Sequence, residues 1–482
     1  MHADPTAAAL ADFVHALTPA AVPSAMRERA LHLALDAIGC ALAARREDFA
    51  IRLVDAIGGF ASFEADAGDA TASPPAGRSG VIGVARRLPL RDAVWLNGVL
   101  THGLDYDDTH MAGVIHLSVS VWPAVMNLAA RCGASGAQML TAYIAGLEAG
   151  ARIASVVKGG LHAQGFHPTG VVGVFASALA AGKLLGLTPP QLVAAQGIAL
   201  SMASGSLQFL EDGAWTKRLH PGWAAQAGIQ AAMLAARDIP APGAAYEGRY
   251  GLFHNYLGEA LQAQVDLSLG RAGLGEVWEL SQIAIKPFPM CHFVHAAADA
   301  AIALHRGGVN PAAIAAIEVR MPAGTMPVVC DPIESKRRPT SDYEAKFSLP
   351  YAVASGLLRG RLGLQELLPS AYTEPAVRVL MDKVVCRADP DATFPRHYSG
   401  EVRLTLEDGS TLRRREAVNR GHAERPLTNA DIAAKFHANA TLHFAPRFAD
   451  AVASAVLGLE DSPQVRGLED LLARDPDATA AP

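Results

Sequence analysis

The segment Leu104–His116, LDYDDTHMAGVIH, concentrates three aspartates, a threonine and two histidines. Carboxylates and imidazoles in such density either transfer protons near neutral pH or bind a divalent cation. A metal site would use the carboxylates with His110 and His116, but their spacing matches no known metal motif. We therefore prefer a metal-free acid–base site that uses Asp105, Thr109 and His116.

A third histidine, His167, stands in GFHPTGVVG, directly before Pro168. Proline suits the first turn of a helix, whose free N–H groups favour an anion. The same position also suits a histidine that ends a loop and has no chemical role. We retain His167 as a candidate catalytic residue.

Two further segments carry cations close to predicted helix starts. Lys217 and Arg218 lie in DGAWTKRLHPG, and Lys286 precedes Cys291 in IKPFPMCHFVH. A basic pair is usually solvated, but the neighbouring Trp215 indicates a partly covered position. Lysines beside helix N-termini favour binding of an anion with several carboxylates. Cys291 has no evident histidine partner, so a buried apolar role is preferred to a nucleophilic one.

The acidic segment follows VWLNGVLTHG, which is apolar at helical spacing. If the helix continues, Asp105, Asp108 and Thr109 share one face. Acidic groups are unfavourable at a helix C-terminus, which already carries partial negative charge. The segment therefore requires a neighbouring cation or a function.

The pattern of the whole chain predicts a mostly α protein with an α+β second domain. Residues 1–281 are predicted as a helical domain, 282–419 as a smaller α+β lid domain, and 420–482 as the C-terminal part of the helical domain. Alternation at Ile317, Val319 and Met321 indicates a strand, and Asp408-Gly409 a hairpin turn. Residues 66–80, rich in Gly, Ser and Pro, are predicted as a surface loop.

Composition excludes several classes of protein. The net charge is -6 without a long basic run, so nucleic acid is not an expected partner. No apolar run reaches membrane-spanning length, and we expect no membrane association. The five cysteines include no CxxC, which disfavours disulfides, zinc and iron–sulfur clusters. No nucleotide-binding motif and no export signal are recognised, so a cytoplasmic location is expected.

Taken together, several segments resemble the 2-methylcitrate dehydratase family, MmgE/PrpD. The resemblance runs through nearly the whole chain, in order, in LDYDDTH with His116, GFHPTGVVGVFASALAAGKLLGL, DGAWTKRLHPGWAAQAG, YEGRYGLF, IKPFPMCHFVHAAADAA, AKFSLPYAVASGLL, FPRHYSGEVRLTLEDG and Lys435-Phe436.

The resemblance implies a discontinuous helical domain, an α+β lid domain, a site between them, no metal or organic cofactor, and homodimers. Carried over residue by residue, it implicates Asp105, Thr109, His116, His167, Lys217, Lys286 and Tyr351. We assign catalysis to His116, His167, Asp105 and Lys217, and substrate binding to Thr109, Lys286, Tyr351, Cys291 and Arg218.

The predicted activity is that of a hydro-lyase on a small 2-hydroxy di- or tricarboxylate, such as a 2-methylcitrate-like acid. One histidine removes a proton next to a carboxylate, and the other histidine or a lysine protonates the leaving hydroxyl. Four alternatives stay open: epimerisation of an iminodisuccinate-like dicarboxylate, decarboxylation of cis-aconitate, carboxylate binding without catalysis by a degenerate member of the family and, ranked last, a metal-dependent lyase. The second is disfavoured because Cys291 stands where cis-aconitate decarboxylases carry a histidine.

Overall fold

The computed structural model describes residues 4–65, 78–394 and 396–475. The chain forms two compact units, one of Met1–Ile283 with Thr428–Pro482 and the other of Ala284–Leu427. The sequence predicts divisions after residues 281 and 419, whereas the structure divides after residues 283 and 427. The fold class is the predicted one, mostly α with a smaller α+β part. Most of the loop predicted at 66–80 lies outside the described residues.

The first unit is helical apart from short strands at Ser79–Val81, Val84–Leu88 and Thr109–His110. Its helices are Pro5–Ala16, Ser24–Ala44, Asp48–Ala65, Leu90–His102, Ser118–Cys132, Gly136–Val156, Gly160–Ala163, Pro168–Leu184, Pro189–Leu200, Phe209–Asp212, His220–Ala235, Leu252–Gln262, Asn429–Ala440, Pro446–Leu457 and Arg466–Leu472. The last three return the chain to this unit after the second one, and the first of them starts with a capping box of Thr428 and Asp431.

Two glycines allow a close helix crossing that positions the chemistry described below. A Cβ on Gly98 would lie 2.5 Å from the Cα of Gly222, so neither helix tolerates a larger residue there. The crossing joins helix Leu90–His102, which ends in a histidine, to helix His220–Ala235, which begins with one. Close approach of these backbones brings the two imidazole-bearing helix ends to one side of the unit.

The second unit contains a four-stranded sheet with the order Val384–Ala388, Ile314–Met321, Gly400–Leu406 and Thr411–Glu416. The first two strands are parallel and the other neighbouring pairs antiparallel. The hairpin predicted at Asp408-Gly409 is confirmed. A two-residue strand, Ile283–Ala284, spans the division between the units.

Helices supply the rest of the second unit's core. They are His295–Arg306, Met326–Val329, Ile333–Lys336, Asp342–Lys346, Leu349–Arg359, Pro369–Tyr372 and Pro375–Asp382. Alanines and aliphatic side chains of the two long helices pack with the inward residues of the sheet. Across the described ranges, no helix combines the length and the apolar character needed to cross a membrane.

Candidate active site

The acidic segment is a turn structure and not the helical continuation predicted from its spacing. The preceding helix ends at His102, and Asp105 adopts a left-handed backbone conformation with φ of 54°. A helix cannot pass through such a residue. The predicted shared face of Asp105, Asp108 and Thr109 is therefore wrong, and each side chain has a separate environment.

Asp108 is buried at the start of the next helix, Ser118–Cys132. Its Oδ1 accepts the backbone N–H groups of Leu117 and Ser118 at 3.2 and 3.3 Å, and its Oδ2 accepts the Ser118 hydroxyl. An aspartate that is unfavourable after one helix thus stabilises the beginning of another. Burial raises the pKa of Asp108 to about 7, although its bonds to Ser118 act in the opposite direction.

Asp107 connects two histidines. Its Oδ1 lies 2.9 Å from Nδ1 of His102, and its Oδ2 lies 3.3 Å from Nδ1 of His116. The carboxylate is fully buried, as is the His102 side chain. A buried carboxylate between two imidazoles fixes the orientation of both rings.

The surroundings of His116 define its tautomer. Its Nδ1 lies 2.6 Å from the backbone carbonyl oxygen of Asp108, which only accepts, so Nδ1 carries the proton. The Thr109 hydroxyl is 3.2 Å from the same nitrogen. The backbone N–H of His116 donates to Thr169 Oγ1 at 3.1 Å, which ties this loop to the first turn of helix Pro168–Leu184. A proton on Nδ1 makes Nε2 the basic nitrogen of the neutral ring.

His167 is the last residue before that helix, and Pro168 is its first, as predicted. The Nδ1 atoms of His167 and His220 are 3.0 Å apart, so one donates to the other and neither ring needs a charge. Burial, followed by the charge of Lys217, lowers the pKa of His167 well below its ordinary value. Burial likewise lowers the pKa of His220 to about 4.

The rings of His102, His116 and His167 form one cluster. Their centroids are 4.9 Å apart between His102 and His116, 5.7 Å between His102 and His167, and 6.1 Å between His116 and His167. The two histidines selected from the sequence are therefore neighbours.

The proposed lysine lies at the edge of this cluster. Lys217 Nζ is 2.9 Å from Asp105 Oδ2, and both side chains are mostly buried. Asp105 thus neutralises a lysine in this arrangement, while Asp107 orients the histidines. Arg218 is also buried, but its guanidinium is 4.1 Å from the Phe49 ring centroid and 5.6 Å from that of Trp215. Its substrate-binding role stays a prediction.

A second buried ion pair supports the turn. Lys435, on the returning helix Asn429–Ala440, places Nζ 2.7 Å from Asp36 Oδ1 and donates to the Tyr106 carbonyl oxygen at 2.7 Å. The same ammonium lies 3.8 Å from the centroid of the Tyr106 ring, a cation–π contact. The C-terminal part of the first unit thereby holds the backbone between Asp105 and Asp107.

The other predicted site residues belong to the second unit. Lys286 is buried, and Cys291 is partly exposed just before the short helix His292–Val294. Tyr351 is fully buried in helix Leu349–Arg359, and its hydroxyl donates to the carbonyl oxygen of Glu366. Burial raises the pKa of Tyr351 to about 12. The substrate-binding roles of these three residues remain predictions.

Sequence reasoning did not select His102, Asp107, His220, Asp36 or Lys435 as site residues. Asp107 lies inside the segment that was singled out, and His102 ends the helix predicted before it. Their pairing depends on the conformation of the turn, which the sequence pattern assigned wrongly. His110, a possible metal ligand with His116 from the sequence, has its Nε2 3.1 Å from Glu279 Oε2 and accepts the Gly113 N–H at Nδ1.

Comparison with known proteins assigns this architecture to a family. Residues 8–264 match the MmgE/PrpD N-terminal domain, and residues 288–461 match the MmgE/PrpD C-terminal domain. The chain belongs to the MmgE/PrpD family.

Curated relatives span most of the chain. It is 32% identical over 390 residues to cis-aconitate decarboxylase of Mus musculus, covering 78% of this chain and 77% of that protein. It is 28% identical over 477 residues to a cis-aconitate decarboxylase-like protein of Aspergillus oryzae, covering 96% of each. Cis-aconitate decarboxylase of Aspergillus terreus is 29% identical over 474 residues, covering 94% of this chain and 92% of that protein.

Proposed function

We propose that the protein is a hydro-lyase that removes water from a small 2-hydroxy di- or tricarboxylate. The family and its relatives support an enzyme that acts on a small carboxylate. The narrower assignment to dehydration rests on the candidate active site. Side chains of the protein alone supply the proton transfers that this reaction needs.

One observation carries the proposal: His116 and His167 are neighbours in electrostatically opposite surroundings. Asp107 Oδ2 lies 3.3 Å from Nδ1 of His116 and places a carboxylate beside that ring. Burial and Lys217 lower the pKa of His167, which favours the neutral imidazole. Two imidazoles, one beside a carboxylate and the other beside an ammonium group, are typical of an acid and a base that act in one reaction. Dehydration requires both, because one proton leaves carbon and another joins the departing hydroxyl.

In the proposed reaction, neutral His167 removes the proton from the carbon next to a substrate carboxylate. The electron pair left on that carbon forms the C=C bond as the C–O bond breaks, and His116 protonates the leaving hydroxyl to give water. Lys217 binds a substrate carboxylate and stabilises the charge that accumulates on it. That carboxylate also offsets the charge of Lys217, which makes His167 a better base once substrate is bound. We propose Lys286 as a further carboxylate ligand.

Decarboxylation of a cis-aconitate-like acid is the second candidate, and the names of the relatives favour it. Loss of CO₂ also places negative charge on carbon, but only one proton must then be delivered. The residue at position 291 is cysteine, where the family resemblance associates a histidine with decarboxylases. This difference, together with two neighbouring histidines that have opposite charges beside them, leads us to rank dehydration first.

A panel of acids incubated with the enzyme in D₂O and followed by proton NMR tests the assignment. Citrate-, 2-methylcitrate-, malate- and tartrate-like acids are expected to yield an unsaturated acid through loss of water. Cis-aconitate and iminodisuccinate serve as the matched alternatives. Conversion of cis-aconitate to a product one carbon shorter would show that the activity is decarboxylation and not dehydration. Deuterium exchange at the α-carbon without water loss would identify an epimerase.

We further propose that the protein is a homodimer, as the family resemblance implies. We also propose a cytoplasmic location, as expected from the sequence. Because one chain has a mass of 50.3 kDa, light scattering coupled to size-exclusion chromatography should measure twice that value. A mass equal to a single chain at micromolar concentration would contradict the dimer.

A further inference from the structure

We infer that His102, His116 and His167 form a binding site for one zinc-like divalent cation. A ring nitrogen of each histidine lies within 4.8 Å of a ring nitrogen of the other two. Zinc–nitrogen bonds of 2.0–2.1 Å in a tetrahedral arrangement require nitrogens about 3.3 Å apart and ring centroids roughly 5 Å apart. The observed centroid distances of 4.9, 5.7 and 6.1 Å lie within about 1 Å of this geometry.

The hydrogen bonds of the rings are those of a metal site. His102 directs Nδ1 to the Asp107 carboxylate, and His116 directs Nδ1 to the Asp108 carbonyl oxygen. Both acceptors require a proton on Nδ1, and a neutral histidine protonated there binds a metal through Nε2. Metal-binding histidines typically make such a bond to a carboxylate or carbonyl through the second nitrogen. For His167, Nδ1 lies 3.0 Å from Nδ1 of His220, and donation from His167 places its proton on Nδ1 as well.

An independent observation is the Nε2 atom of His102. It is fully buried and has no hydrogen-bond partner within the part of the chain that the structure describes. A buried polar atom without a partner is costly, and such atoms are commonly found where a ligand, water or ion binds. His102 takes no part in the proton transfers proposed above, and a bound cation would supply a partner for its Nε2 atom.

The local charge allows a dication. Asp107 contacts two of the three rings, and the ammonium of Lys217 is already balanced by Asp105 at 2.9 Å. Three histidine ligands leave a fourth position for water or for a carboxylate of a small acid. A cation there would occupy the Nε2 atoms of His116 and His167, through which the proposed proton transfers would run. Zinc is therefore expected to inhibit this enzyme and not to serve as its cofactor, a consequence that rests on the proposed function.

Zinc and cobalt binding to chelator-treated protein, followed by calorimetry and by the visible absorption of tetrahedral cobalt, tests the site. We expect one equivalent of metal, and at least about tenfold weaker binding for each of His102→Asn, His116→Asn and His167→Asn. The asparagine amide preserves a donor near the Nδ1 position, and thermal melting establishes that each variant is folded.

The matched control is a histidine group in the described residues that shares no member with this site, namely His397, His422 and Glu424. Nδ1 of His422 accepts the Glu424 backbone N–H, so its proton stays on Nε2 and the ring is a poor ligand. His397→Asn should leave binding unchanged. The inference is overturned if the wild-type protein binds no stoichiometric metal, or if only His397→Asn weakens binding. Stoichiometric binding by a protein inactive toward every acid in the panel would keep the site and reject the proposed function.

Discussion

Replacing His116 with asparagine is expected to lower turnover by about 10²–10⁴-fold, the range for loss of a general acid or base. The reason is geometric. The asparagine amide reaches the position of Nδ1 and can still donate to the Asp108 carbonyl oxygen, which His116 now does at 2.6 Å. Nε2, the atom that would transfer the proton, has no counterpart in asparagine. The loss should therefore appear in kcat with little change in thermal stability.

His254→Asn is the matched control, because His254 is an exposed histidine of the same unit. It should retain wild-type turnover. A His116→Asn variant within about threefold of wild type, measured on whichever acid the panel identifies, would remove His116 from the mechanism. Steady-state rates and melting curves on the same preparations separate a chemical defect from a folding defect.

Replacing Lys435 with methionine is expected to destabilise the first unit by about 3–5 kcal/mol, the range for breaking a buried ion pair. Methionine fills similar space but leaves Asp36 buried without its cation, and it also removes the bond to the Tyr106 carbonyl oxygen. Lys158→Met serves as the control. Lys158 and Asp266 form an exposed pair, and such pairs contribute little to stability.

The effect of Lys435→Met should depend on pH. Burial raises the pKa of Asp36 in the folded protein, and Lys435 opposes that shift. Without Lys435, the folded carboxyl resists ionisation while the unfolded one ionises at its ordinary pKa. Stability is then lost as pH rises from the ordinary aspartate pKa to the raised pKa of folded Asp36. The loss in free energy of unfolding caused by Lys435→Met, measured by urea denaturation, should therefore be larger at pH 8 than at pH 5. An equal deficit at both values would show that Asp36 is not the origin of the loss.

A double substitution separates the charge from the packing. Asp36→Leu combined with Lys435→Met removes both charges, and it should be more stable than Lys435→Met alone because no uncompensated buried charge remains. If the double variant is instead less stable than the single one, the buried charge does not dominate the energetics. Turnover of the double variant would further report whether the Tyr106 anchor is needed to hold Asp105 and Asp107.

Much of the fold followed from local patterns in the sequence. The hairpin at Asp408-Gly409, the helix that begins at Pro168 and the capping box at Thr428 depend on residues a few positions apart. Helical and strand periodicity likewise act within one element. For this reason the fold class and the existence of most elements were predictable without any tertiary information.

The sequence by itself also determined that acidic, imidazole and ammonium groups are concentrated in a few short segments near helix ends. Only the tertiary structure decided their partners. His167 meets His220 from 53 residues away, and Lys435 reaches Tyr106 across 329 residues. The left-handed conformation of Asp105 ends any helical register, so Asp107 faces the histidines and Asp108 caps the next helix. Such pairings depend on the burial and electrostatics of the assembled helices, which no local spacing encodes.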